Sequence, residues 1–140
     1  MPKNKTITAR PLTVSVISWF FMLWAIFSVI PKVFLIINPE AYRQALELNQ
    51  TLSTQSFLHV PFWFQLAHAF IGVTIIIVSS IFMLKGRLWA LIVFLVWIYG
   101  VVLLTLAVSG LSISLYFKFI TVILITVFLT RSKHLAYFLN

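Results

Sequence analysis

Four stretches of roughly twenty residues, Leu12 to Ile37, Pro61 to Leu84, Leu88 to Ser109 and Leu111 to Thr130, are apolar almost throughout and hold no carboxylate. A hydrocarbon layer ~30 Å thick is crossed by about 20 helical residues, so each stretch has the length of one membrane span. Lipid offers backbone groups no water, which leaves helices and closed barrels as the structures able to cross it. Barrel strands would read as segments of alternating polarity. Runs such as Ile75-Ile76-Ile77-Val78 and Leu91-Ile92-Val93-Phe94-Leu95-Val96 do not alternate. The expected fold class is therefore all-α: a polytopic bundle of four transmembrane helices, forming a single membrane domain over residues 1–140.

The composition agrees with this and removes other classes. Charged residues make up 9% of the chain and hydrophobic ones 62%, where an ordinary globular chain carries about 25% charged residues. A cytosolic enzyme, a disordered tail and a nucleic-acid module are thereby excluded, and no nucleic acid is expected as a partner. The net charge of +8 fits loops that flank spans and touch anionic headgroups, making membrane lipid an expected partner. Cysteine is absent, so disulfides and thiolate metal sites are excluded.

The placement of the basic residues orients the chain. Lys3, Lys5 and Arg10 precede the first span, Lys85 and Arg87 separate the second from the third, and Arg131 and Lys133 follow the fourth. The positive-inside rule puts all of them, and hence both termini, in the cytoplasm. The first apolar run is longer than the 7–15 residues of a signal-peptide core, and no small-residue cleavage site follows it, so it is read as a helix that is kept. The outer loop, residues 38–60, holds Arg43 and both acids, Glu40 and Glu47. Its Asn38-Pro39-Glu40 has the order N-cap, first-turn proline and first-turn acid. Ala41, Tyr42, Ala45, Leu46 and Leu48 supply an apolar face, so a short amphipathic helix on the outer surface is expected.

Two ammonium groups fall inside the spans. About 20 residues at 1.5 Å each carry the first helix from Leu12 to the outer headgroups, which is where Lys32 sits and which accounts for it without a special role. Pro31 is expected to bend the helix there. Lys118 lies roughly 10 Å below the outer boundary by the same arithmetic. It either snorkels toward its helix N-terminus or faces the bundle interior, met by helix carbonyls, by Glu40 or Glu47, or by an anionic ligand.

Other polar residues share faces with these. Gln65, His68, Gly72 and Ser79 form one face of the second span, a pattern that permits close helix packing. Ser18, Ala25, Ser28 and Lys32 align on the first, and Ser114, Lys118 and Thr121 on the fourth. The polar atoms gather in the outer half of the bundle. Lys118, His68, Gln65, Ser28 and Ser114 are accordingly the candidate lining of a ligand-binding cavity open to the outer side.

Catalytic chemistry lacks its parts. His59 and His68 have no carboxylate at membrane depth and His134 lies on the opposite side, so no metal site is expected. Ser79 and Ser80 have no neighbouring base. The four separated glycines form no phosphate loop or dinucleotide fingerprint, and no cofactor is expected. Arg10-Pro11, Gly86-Arg87-x-Trp89-Ala90 and Ala136-Tyr137-Phe138 together resemble a recurring pattern in small four-span bacterial inner-membrane proteins of uncharacterised role. That resemblance implies a bacterial inner-membrane location and no activity. Three non-enzymatic roles are compatible with the sequence. The first is an accessory or interaction subunit, held by helix packing to another membrane protein or to further copies of itself. The second is a binding or transport protein for an anionic ligand or lipid around Lys118. The third is an immunity protein against a membrane-active toxin.

Overall fold

The computed structural model describes residues 11–53, 60–109 and 111–139. Lys3, Lys5, Arg10, His59, Gly110 and the Lys133 side chain, each used in reading the sequence, lie outside that description. The described chain forms six helices: α1 (Leu12–Ile37), α2 (Pro39–Ser53), α3 (Phe62–Leu84), α4 (Leu88–Ser109), α5 (Ile113–Thr130) and α6 (Ser132–Leu139). α1, α3, α4 and α5 are each long and apolar enough to cross a membrane. The protein is an integral membrane protein built as an all-α polytopic bundle.

Local chemistry fixes where the helices start and stop. The Asn38 carboxamide accepts from the backbone N–H of Glu40 at 3.1 Å and of Ala41 at 3.2 Å, which starts α2 as the sequence implies. Ala41, Tyr42, Ala45 and Leu46 are half-buried beneath it, but Leu48, assigned to the same apolar face, is exposed. Register explains the difference, because the half-buried positions recur at i, i+1, i+4 and i+5, and Leu48 falls beside that stripe. The fourth span begins at Ile113 rather than Leu111, since the Ser112 hydroxyl caps the Leu115 N–H at 3.3 Å.

α3 ends in a Schellman turn. Gly86 has φ +70°, Arg87 N–H donates to Phe82 O at 3.0 Å and Gly86 N–H to Met83 O at 3.0 Å. α6, which the sequence reading left unassigned, closes over this turn. Tyr137 donates its hydroxyl to the Leu84 carbonyl at 2.7 Å, and Phe138 is buried. A carbonyl at the end of α3 that no helical N–H reaches is thereby satisfied.

The four long helices alternate in direction. α3 packs between α1 and α4, and α4 between α3 and α5, whereas α1 and α5 barely meet. Lipid supplies no hydrophobic drive between helices, so close approach depends on small residues. Most of the buried positions on these two helices fit this, Ser18 and Ala25 on α1 and Gly72, Ser79 and Ser80 on α3, with the larger Val14, Ile76 and Met83 among them. α1 ends where α3 and α5 begin, and that end of the bundle carries α2. The opposite end carries α6.

Candidate functional site

The weak α1/α5 contact leaves a cavity of about 540 Å³ between these two helices, backed by α3 and α4. Its polar lining comes from the α2 end: Ser28 and Lys32 on α1, His68 on α3, and Ser114, Lys118 and Thr121 on α5. Each set follows helical spacing. Ser28 and Lys32 are four apart, and Ser114, Lys118 and Thr121 lie at i, i+4 and i+7, so one face of each helix turns toward the same space. Farther toward the α6 end the lining is hydrocarbon, with Phe21, Ile76, Val122 and Ile125.

The two ammonium groups differ in how they are held. Lys32 Nζ donates to the Ser28 carbonyl, one turn back, at 2.6 Å, which uses one of its three N–H bonds. The sequence reading placed Lys32 at the headgroups with nothing to do, yet it lines the cavity. Side chains on a helix lean toward its N-terminus, which on α1 points back into the bundle. Lys118 has no hydrogen bond or ion pair among the described residues. Glu47 lies 3.9 Å from Arg43, both of them exposed. Neither Glu47 nor Glu40 pairs with Lys118, so the expectation that α2 folds a carboxylate over it is not met. α2 extends from the end of α1 with its acids facing solvent.

His68 sits in a stack of rings. Its imidazole lies 5.0 Å from the Trp97 ring at 25° and 6.3 Å from Phe64 at 22°. Trp97 reaches this position because α3 carries glycine one turn below His68. A Cβ at Gly72 would stand 2.7 Å from Trp97 Cζ2, inside any real contact distance. The indole therefore packs directly on α3 at Gly72 and forms part of the cavity's back wall.

Four of the five residues singled out from the sequence, Lys118, His68, Ser28 and Ser114, line this cavity together. Gln65 does not. Its amide donates to Asn49 Oδ1 at 2.8 Å and to the Val60 carbonyl at 3.0 Å, tying α2 to the start of α3. Sequence reasoning left Lys32 and Trp97 out of the site. The shared face of Ser28 and Lys32 was a usable signal for the first, while nothing in the sequence marks Trp97 apart from the other tryptophans. Among the described residues, no three His or carboxylate side chains converge as metal ligands would.

Two ammonium groups without a carboxylate partner, the Ser114 hydroxyl and an apolar extension equip the cavity to hold an anion. Ammonium groups with spare donors at the edge of a low-dielectric region interact with negative charge more strongly than the same groups in water. No protein-family model, curated protein or solved structure matches this chain.

Proposed function

We propose that this chain is a non-enzymatic membrane protein of the bacterial inner membrane that binds an anionic ligand in the cavity between α1 and α5. The observation that carries the reading is the meeting of Lys32 and Lys118, from two helices, in one cavity with no carboxylate in its lining. Charges at membrane depth are costly and mark ligand or ion sites when they face a cavity. The cation-rich α6 end, with Lys85, Arg87 and Arg131, lies in the cytoplasm under the positive-inside rule, together with both termini. The α2 end then faces outward, and the cavity serves the outer leaflet.

The test is equilibrium binding to the protein in phosphatidylcholine nanodiscs, with inorganic phosphate and palmitate as probes. Wild type should bind at least one probe at least ten times more tightly than the Lys32→Met, Lys118→Met double variant. Equal binding by the two proteins, both folded by circular dichroism, would remove the reading.

A second reading has its own observation. α5 packs along α4 and leaves Tyr116, Phe119, Ile120, Leu124 and Val127 exposed, a surface suited to an accessory subunit or a homo-oligomer as well as to lipid. Purification in mild detergent would then recover a defined partner or oligomer. A monodisperse monomer that binds either probe would favour the cavity reading instead.

A further inference from the structure

The cavity's shape and the position of its mouth say more about the ligand than its charge does. Where α1 and α5 barely meet, the lining includes Trp24 at 54% exposure and Phe117 at 69%, so the cavity is open between these two helices. Both helices are membrane spans, so this opening faces the side of the bundle, toward lipid. A ligand that reaches the cavity through this opening comes from the bilayer.

Depth points the same way. From Lys118 to Ile125 α5 descends seven residues, and from Lys32 to Phe21 α1 descends eleven, which is about 10 Å and about 16 Å at 1.5 Å per residue. Over that distance the wall becomes hydrocarbon and ring faces. The volume of about 540 Å³ lies in the ~300–1,000 Å³ range of sites that take one small molecule.

On the reading that the cavity binds an anion, we infer that its ligand is a single-chain anionic amphiphile taken from the bilayer. Its head lies between Lys32 and Lys118, and its chain runs along Trp97 toward Ile125. The two ammoniums supply charge-assisted donors to the head. Ser28 is less available, because its hydroxyl already donates to the Ala25 carbonyl at 2.8 Å. The Ser114 hydroxyl makes no hydrogen bond among the described residues and is positioned to add a donor at the rim.

The experiment compares palmitate, which has head and chain, with acetate, which has the head alone, in phosphatidylcholine nanodiscs with the uptake of empty nanodiscs subtracted. Ile125→Trp fills the apolar end and leaves both lysines in place, and Val101→Trp on α4 fills the same space should the first variant fail to fold. Palmitate should bind wild type and bind the filled variant at least ten times more weakly, while acetate binds at least ten times more weakly than palmitate and is indifferent to the filling. If acetate or phosphate binds as tightly as palmitate, and filling changes neither, the ligand is a soluble anion: the amphiphile inference falls and the anion reading stands. If no probe separates wild type from the double lysine variant, both fall. If two-chain phosphatidylglycerol competes with palmitate at equal concentration, the single-chain assignment is overturned.

Discussion

Replacing Gly72 with Ala tests the wall of the cavity, and the direction of its effect depends on residue 97. In isolation, Gly→Ala inside a helix stabilises by about 0.8–1 kcal/mol, because glycine has more backbone freedom to lose. Here the new Cβ would sit 2.7 Å from Trp97 Cζ2, 3.1 Å from Cε2 and 3.2 Å from Nε1, whereas ordinary contact begins near 3.4 Å. The indole must retreat, and overpacking of this kind costs about 1–3 kcal/mol. The net expectation is a destabilisation of about 0–2 kcal/mol. Trp97→Phe removes the indole's second ring and its Cζ2 and Nε1 atoms. In that background Gly72→Ala should be neutral or stabilising by up to about 1 kcal/mol, giving a coupling of about 1–3 kcal/mol between the two sites. The cycle is measured by reversible SDS or urea unfolding of the four proteins in micelles, followed by circular dichroism. A Gly72→Ala effect equal in both backgrounds would show that Trp97 does not pack on α3 at Gly72, and the stack with His68 would fall with it.

Other expectations concern the elements that frame the site. Tyr137→Phe removes the hydroxyl bond to the Leu84 carbonyl and should cost about 1 kcal/mol. Gly86→Ala should cost more, because it adds the ~1–2 kcal/mol of a left-handed backbone to a Cβ only 3.2 Å from the Tyr137 carbonyl oxygen; the ranking is read from the same unfolding curves, and the reverse order would contradict the docking of α6. Asn38→Ala should cost α2 about 1 kcal/mol of capping and raise the rate of proteolysis within residues 39–53 while leaving global unfolding unchanged; an unchanged cleavage rate would contradict the capping. Tyr99→Phe loses the 3.0 Å bond to Thr126 between α4 and α5 and should cost about 0.6 kcal/mol, the mean for such bonds in membranes. A loss above about 2 kcal/mol would mean that this bond, rather than packing, holds α5 in place.

Much of this architecture is legible from the chain because bilayer thickness and backbone hydrogen bonding constrain long apolar runs to one solution. The start of α2 was legible for a local reason, the side-chain chemistry of Asn38 and Pro39. α6 was not, because its eight residues bury Phe138 and bond Tyr137 only against the end of α3, where Leu84 lies 53 residues earlier. The face shared by Ser114, Lys118 and Thr121 followed from spacing alone. That Lys32 faces the cavity was not legible, because depth arithmetic gives height along the membrane normal and says nothing of rotation about the helix axis. Gln65 shares a face with His68, but one turn closer to the end of α3 it bonds to α2 and stands outside the cavity lining, a difference that spacing along one helix does not carry. Gly72 could be read as a packing glycine, yet only the folded chain tells which ring it admits.

The central claim is that Lys32 and Lys118 hold the head of an anionic amphiphile whose chain fills the space between α1 and α5. A density map of the protein in nanodiscs made with its native lipid extract tests this most directly. The expected result is an elongated feature along Trp97, ending in a compact head within hydrogen-bond distance of both ammonium groups. Both ammoniums turned out to bulk water, with lipid-like density along the outer faces of the helices and none between α1 and α5, would contradict it.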